Sequence, residues 1–203
     1  MIYIEHRKNQ KELLAKVPSQ HGVEMDLRSL ITEPGSLLVT HDAFSQGDDF
    51  RAWAQEFKRA GLQGPLVLNT KEDQLEETIF SVLAQEGLEQ YLFLDTAFPT
   101  FIKYWQRGLG HRFMLRMSKY ETFSNLEMFK GSVQWVWVDC FHGEALDISL
   151  VERAARDFKL CLVSPELQGH SLESKVKEFL PLAPLMSAIC TKNPNFWMQQ
   201  GVR

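Results

Sequence analysis

The chain has 203 residues, 44% of them hydrophobic, which supplies one sizeable core and suits one domain over 1–203 better than two small ones. A net charge of -4 with no block of Lys and Arg excludes the basic footprint of a nucleic-acid binder, and no apolar run approaches the ~20 residues that span a bilayer. The first seven residues lack a signal-peptide core, and Cys140, Cys161 and Cys190 are odd in number, far apart and set in or beside apolar runs. A cytoplasmic protein with core-packed thiols is expected, rather than a disulfide framework or a thiolate zinc site.

In chain order, short runs rich in Val, Ile, Phe and Leu fall at 2–4, 23–27, 66–68, 91–94, 113–115, 133–138, 160–163 and 187–190. Their length and composition suit buried parallel strands. Helical spacing separates most of them. It is seen at Phe50, Trp53, Ala54 and Phe57, at Leu75, Ile79, Val82 and Leu83, at Phe101, Ile102 and Trp105, at Ile148, Val151, Ala154 and Phe158, and at Leu172, Val176 and Phe179. Gly61, Gly64, Gly87, Gly108 and Gly110 follow apolar helical stretches and are expected as left-handed helix ends. Eight strands alternating with helices predict an α/β fold, a (β/α)8 TIM barrel rather than a doubly wound open sheet. At this length the barrel must be compact, with some reduced helices; 126–132 has room for little more than one turn.

In such a barrel the C-terminal strand ends build the site. Here they carry His6-Arg7, Asp26-Leu27-Arg28, Asn69-Thr70-Lys71, Asp95, Arg116, Asp139, Glu166 and Thr191-Lys192. Glu24, Asp26 and Arg28 share one strand face because residues two apart point the same way. Two adjacent carboxylates need a cation. All-oxygen ligation favours Mg²⁺ or Ca²⁺; the alternative is a salt-bridge network with Arg7, Arg28 and Lys71. His6 and His41 flank the pair, each after an extended apolar run, and could act as base and acid. Asp95, Arg116, Asp139 and Glu166 either line a polyol or sugar portion of a substrate or form supporting salt bridges. Trp53, Trp105, Trp135 and Trp137 read as core, 196–198 as a closing helix, and Ser118 and Ser164 lack the partners of a serine nucleophile.

Several of these motifs resemble one known family. His6-Arg7-Lys8-Asn9, Glu24-Met25-Asp26-Leu27-Arg28 and His41-Asp42 are similar in order and spacing to the opening motifs of the glycerophosphodiester phosphodiesterases, β/α barrels of the phospholipase C-like superfamily. Leu68-Asn69-Thr70-Lys71, Arg116-Met117-Ser118-Lys119, Trp137-Val138-Asp139 and Val163-Ser164-Pro165-Glu166 resemble a bacterial subgroup associated with surface-polysaccharide loci. The resemblance implies cleavage of a small-molecule or saccharide phosphodiester. It implies His6 and His41 as the acid/base pair, Glu24, Asp26 and Asn69 as ligands of a divalent metal ion, and Arg7 and Lys71 as phosphate contacts. This chain departs at Lys8, where glycine is usual, and at Asn69, where glutamate is usual. Lys8 is expected to add bulk and charge beside the phosphate, and Asn69 to weaken metal binding. Two alternatives remain: a lyase giving a cyclic phosphate, and a phosphate-binding barrel without catalysis.

Overall fold

The computed structural model describes residues 1–30, 32–33 and 35–202. After β1 (Ile2–Glu5) comes a 3-10 segment, Lys11–Lys16, in place of a first helix, and then β2 (Gly22–Ser29). A side excursion of β3 (Leu37–Val39) and β4 (Asp48–Asp49) leads into α1 (Phe50–Arg59). The alternation then runs β5 (Leu66–Thr70), α2 (Glu76–Glu86), β6 (Tyr91–Leu94), α3 (Phe98–Gln106), β7 (Met114–Met117) and α4 (Ser124–Glu127). It finishes with β8 (Trp135–Val138), α5 (Ile148–Ala155), β9 (Lys159–Val163), α6 (Leu172–Phe179), β10 (Ala188–Thr191) and α7 (Pro194–Gln199). All eight sequence-predicted strands are present within about two residues at each end, the margin normal for strand boundaries. α4 is a single turn, as the short 126–132 connection requires.

The parallel strands follow one another as β6-β5-β2-β1-β10-β9-β8-β7, an α/β sheet of the TIM-barrel type that curls until β6 and β7 face each other. Those two strands are linked by one bridge, Phe93↔Phe113, where every other neighbouring pair has a ladder. Alternate residues along the strands feed two separate cores. Val23, Met25, Leu27, Leu66 and Leu68 join the helix residues Phe50, Trp53, Ile79, Leu83 and Phe101 on the outer side. Ile4, Val67, Leu94, Met114, Trp137, Cys161 and Cys190 fill the concave side. Trp135 and Trp137 therefore sit inside the curl, and all three thiols are buried and free. Burial pushes the Cys161 and Cys190 thiols well above the ordinary thiol range.

The expected extended run before His41 is present, and two other sequence expectations are corrected. The extended run ending at His41 is β3, which pairs antiparallel with the tail of β2 (Leu27↔Val39, Ser29↔Leu37) because the eight-residue β2 overshoots the rim. Gly61, Gly87 and Gly108 have positive φ, but Gly64 and Gly110 do not. Gly64 is needed for close approach instead, since a Cβ there would lie 2.3 Å from the Gly22 nitrogen. Lys8 does not crowd the rim: its Nζ lies 2.7 Å from Glu5 Oε2, and Glu5 points away from the concave face next to His21. Trp197 of α7 is buried and donates its indole N–H to Ser164 Oγ at 2.8 Å, as a closing helix should.

Candidate active site

Because Val23, Met25 and Leu27 turn to the helices, β2 must send Glu24 and Asp26 to the concave face, where both have 0% exposure. Burying two carboxylates is costly unless each is hydrogen-bonded and charge-compensated. The chain after β1 does much of this. Arg7 adopts a left-handed backbone, φ 52, of a kind that costs about 1–3 kcal/mol outside glycine. This turn brings its N–H to Glu24 Oε2 at 2.8 Å and leaves its guanidinium Nε 3.7 Å from Asp26 Oδ2. Asn9 completes the turn with a reciprocal pair of bonds: its Nδ2 donates to Asp26 Oδ2 at 2.8 Å, and its Oδ1 accepts from the Asp26 N–H at 3.0 Å.

β5 runs beside β2 with Asn69 in register with Asp26. The Asn69 amide donates to Glu24 Oε1 at 3.0 Å, and Lys71 Nζ stands 3.1 Å from Asp26 Oδ1. His6, held by its N–H to the Thr191 carbonyl, places Nε2 3.7 Å from Glu24 Oε2. Burial, with Asp26 adding, pushes the Glu24 carboxyl up to about 7 against the Arg7 N–H and Asn69 bonds. Burial and then the Arg7 charge push the His6 imidazole down to about 3, with Asp26 opposing, so the ring is neutral at pH 7.

His41 reaches the same rim through the β2–β3 hairpin. The Thr40 N–H donates to the Asp26 carbonyl at 3.0 Å, and Arg28 Nε donates to the His41 carbonyl at 2.9 Å. The His41 ring is 38% exposed, with Nδ1 2.7 Å from Asp42 Oδ1. This contact, ahead of the charges of Arg7 and Arg28, holds the Asp42 carboxyl below the usual range. Arg28 does not compensate the buried pair, because it lies past the rim and turns to Glu72 at 3.2 Å. Of the salt-bridge network expected as an alternative, Arg7 and Lys71 are present and Arg28 is absent.

The donor set fits a hard divalent cation. Asn69 Oδ1 is buried without a hydrogen-bond partner, and Asp26 Oδ1 has only the Lys71 ammonium beside it. Among the described residues no group of three His, Cys, Asp or Glu side chains is arranged to hold a metal, so an ion at the Glu24–Asp26 pair would need a neutral oxygen donor, for which the unpartnered Asn69 amide oxygen is a candidate. Rotating that amide would turn its oxygen toward Glu24 in place of the N–H, an arrangement that a cation between them, or a proton on Glu24, would favour.

The remaining candidates divide. Arg116 bonds Asp95 and lies 3.4 Å from Asp139 Oδ2 and 3.9 Å from Glu121 Oε2. Asp139, pushed up by burial and held down by Arg116, also accepts from Gln168 Nε2 at 2.7 Å. Glu166 stands apart, accepting from Ser164, the Thr191 hydroxyl and, at 3.0 Å, the Lys192 N–H, and so ties the ends of β9 and β10 together. Asn9 is the site residue given no role from sequence. Its part depends on the left-handed Arg7 turn, which no local pattern announces.

Fold and rim together define an α/β protein of the TIM-barrel type with a buried carboxylate pair at the C-terminal strand ends. Solved structures with this fold include a protein from Agrobacterium tumefaciens assigned as a glycerophosphoryl diester phosphodiesterase (13% identity, TM-score 0.67). They also include one from Galdieria sulphuraria assigned as a glycerophosphodiester phosphodiesterase (13%, 0.73). A third is an Oleispira antarctica phosphodiesterase in complex with the product sn-glycerol-3-phosphate (15%, 0.69). Each alignment covers 98% of this chain and 96% of the other. The chain thus has the fold of glycerophosphodiester phosphodiesterases, the family its motifs resemble. No protein-family model and no curated protein matches it. Among the described residues no helix is long and apolar enough to cross a membrane.

Proposed function

We propose that this chain is a metal-dependent phosphodiesterase, one domain of the (β/α)8 barrel type, acting in the cytoplasm on a glycerophosphodiester or a related polyol or saccharide phosphodiester. The observation that carries the reading is the joint placement of His6, two buried carboxylates and two cations: His6 Nε2 is 3.7 Å from Glu24, and Arg7 and Lys71 lie 3.7 and 3.1 Å from Asp26. The fold shared with the three phosphodiesterase structures supports it.

In this reading Glu24, Asp26 and Asn69 Oδ1 hold Mg²⁺ or Ca²⁺, which when bound supplies positive charge to a non-bridging phosphate oxygen. With the ion present, Arg7 and Lys71 are freed in part to orient the phosphate. Water adds its oxygen to phosphorus as one imidazole of the His6/His41 pair takes its proton. The P–O bond to the alcohol breaks, and the other imidazole protonates the departing oxygen. The products are a phosphate monoester and a free alcohol. The decisive experiment measures release of alcohol from glycerophosphodiesters by wild type, His6→Ala and His41→Ala, with and without chelator. Loss of turnover in both variants and reversible loss with chelator is expected; turnover surviving all three treatments refutes the mechanism.

A non-catalytic phosphate-binding barrel is the second reading, favoured by the Asn69 amide in place of a third acidic ligand. Calorimetric titration of Mg²⁺ and Ca²⁺ separates the two, since this reading requires phosphate binding without either ion.

A further inference from the structure

The β1/β10 ladder runs one bond past both strands. Within it Ile2 pairs with Ala188 and Ile4 with Cys190, and the Ile2 N–H donates to the carbonyl of Ser187, the residue before its partner. The His6 N–H repeats this pattern on the Thr191 carbonyl at 3.2 Å, which places Lys192 opposite His6. Ile4, Ala188 and Cys190 belong to the concave core, so the next pair on that face is His6 and Lys192, one strand spacing or about 4.8 Å apart at the backbone. Behind burial and the Arg7 charge, the ammonium groups of Lys192 and Lys71 also push the His6 imidazole down, as cations close to the ring do.

Lys192 differs from these neighbours in having no acid of its own. Arg7 and Lys71 face Asp26, Arg28 faces Glu72 and Arg116 faces Asp95. Lys192 is exposed, and among the described residues its ammonium makes no ion pair. Glu166, the acid bonded to its backbone, is committed elsewhere. Its Oε1 accepts from the Thr191 hydroxyl at 2.5 Å and the Lys192 N–H at 3.0 Å, and its Oε2 accepts from the Ser164 hydroxyl. Ser164 in turn accepts from the buried Trp197 indole, and the Thr191 hydroxyl from the Asn193 N–H at 2.9 Å. A network anchored in the core therefore fixes the backbone of residue 192 and leaves its charge unspent.

The side on which this charge lies gives it a task. Arg7, Lys71 and the carboxylate pair all stand on the β2 and β5 side of His6, whereas Lys192 stands on the β10 side. The two non-bridging oxygens of a phosphodiester diverge, so one directed at Glu24 and Asp26 leaves the other directed away from them. We infer that Lys192 is a phosphate-binding residue of the active site, its ammonium taking the non-bridging oxygen turned away from the Glu24–Asp26 pair. This rests on the phosphodiesterase reading and adds a residue to it: the phosphate is held from both sides of His6, and Glu166 is the positioning residue for the second side.

The test uses wild type, Lys192→Met, Lys192→Arg and, as a control for the loss of one rim charge, Lys119→Met on the connection after β7, where the lysine is also exposed. For each, kcat/KM for glycerophosphoethanolamine, the Kd for methyl phosphate by calorimetry and the melting point are measured in Mg²⁺. Lys192→Met is expected to lower kcat/KM and weaken binding by about tenfold or more, as loss of a hydrogen bond between charged groups does. Lys192→Arg should recover most of both, and Lys119→Met should match wild type. The melting point of Lys192→Met should equal that of wild type, because the side chain is exposed and unpaired. Unchanged kcat/KM and Kd in Lys192→Met, or an equal loss in Lys119→Met, overturns the inference. A lowered melting point without recovery in Lys192→Arg marks a structural role and overturns it too. If no diester is turned over, the phosphodiesterase reading fails by itself, and calorimetry decides Lys192: methyl phosphate bound about tenfold more weakly by Lys192→Met than by wild type supports the assignment, whereas equal binding, or none in wild type, overturns it.

Discussion

Asn69→Asp is the most informative single change, because it acts oppositely in the presence and absence of a metal ion. In the chelated protein it replaces the N–H donated to Glu24 Oε1 at 3.0 Å with a carboxylate at the same place. A hydrogen bond to a charged acceptor, worth about 1.5–3 kcal/mol, is lost. A third buried carboxylate also joins a pair with 0% exposure whose nearby cations, Arg7 and Lys71, already face Asp26. An uncompensated buried charge costs about 3–5 kcal/mol, and protonation of one member relieves part of it. A net loss of about 3 kcal/mol corresponds to a melting point lower by about 6–12 °C in a chain of this size. With Mg²⁺ or Ca²⁺ the added carboxylate becomes a ligand, and about 2.7 kcal/mol returns at a hundredfold excess over Kd. Thermal unfolding of both proteins, with chelator and with saturating ion, checks this. An unchanged melting point in chelator would refute the Asn69–Glu24 contact, and equal ion-induced shifts in the two proteins would place residue 69 outside the metal's reach.

Asn9→Ala removes both bonds to Asp26 and should lower stability by about 2–4 kcal/mol, read by denaturant unfolding, with a marked loss of turnover even where the protein remains folded. Glu76, 1% exposed in the first turn of α2 with both carboxylate oxygens unpartnered, has its carboxyl pushed up by burial. Between the ordinary carboxylate pKa and this raised one the native state binds more protons than the unfolded state, so stability falls as pH rises through that window. Glu76→Gln should therefore raise the melting point at pH 8 and change it less at pH 4, as measured by circular dichroism. Gly64→Ala should destabilise severely, by more than about 3 kcal/mol in urea unfolding, because the added Cβ meets backbone that cannot rotate away.

The strands were legible because a parallel strand buried on both faces is apolar throughout, and a polar interruption such as Glu24 and Asp26 in β2 then stands out. The same contrast singled out Asn69 and Lys71 at the end of β5. Lys8 was misread because a sequence gives the residue after a turn but not the side to which it faces; the left-handed Arg7 reverses the expected direction and sends Lys8 to Glu5. β4 was hidden by its brevity, since it is two aspartates whose ladder bonds come from the backbone alone, and the extended run that is β3 carries no local sign of its antiparallel pairing. Arg116, Asp95 and Asp139 were all named from their places at strand ends. Their union about one guanidinium depends on how far the sheet curls, which no local pattern specifies.

The lone Phe93↔Phe113 bridge also divides the chain. β1, β2, β5 and β6 form one half-sheet and β7 to β10 the other, and among the described residues the two halves share a ladder only at β1/β10. Residues 95–112 are thus the one covalent strap across the weak side, while the strong side joins the first strand to the last. Breathing should follow this hinge: the amides flanking the seam exchange with solvent ahead of those in the β1/β10 ladder, and the two halves part there before either loses its own core.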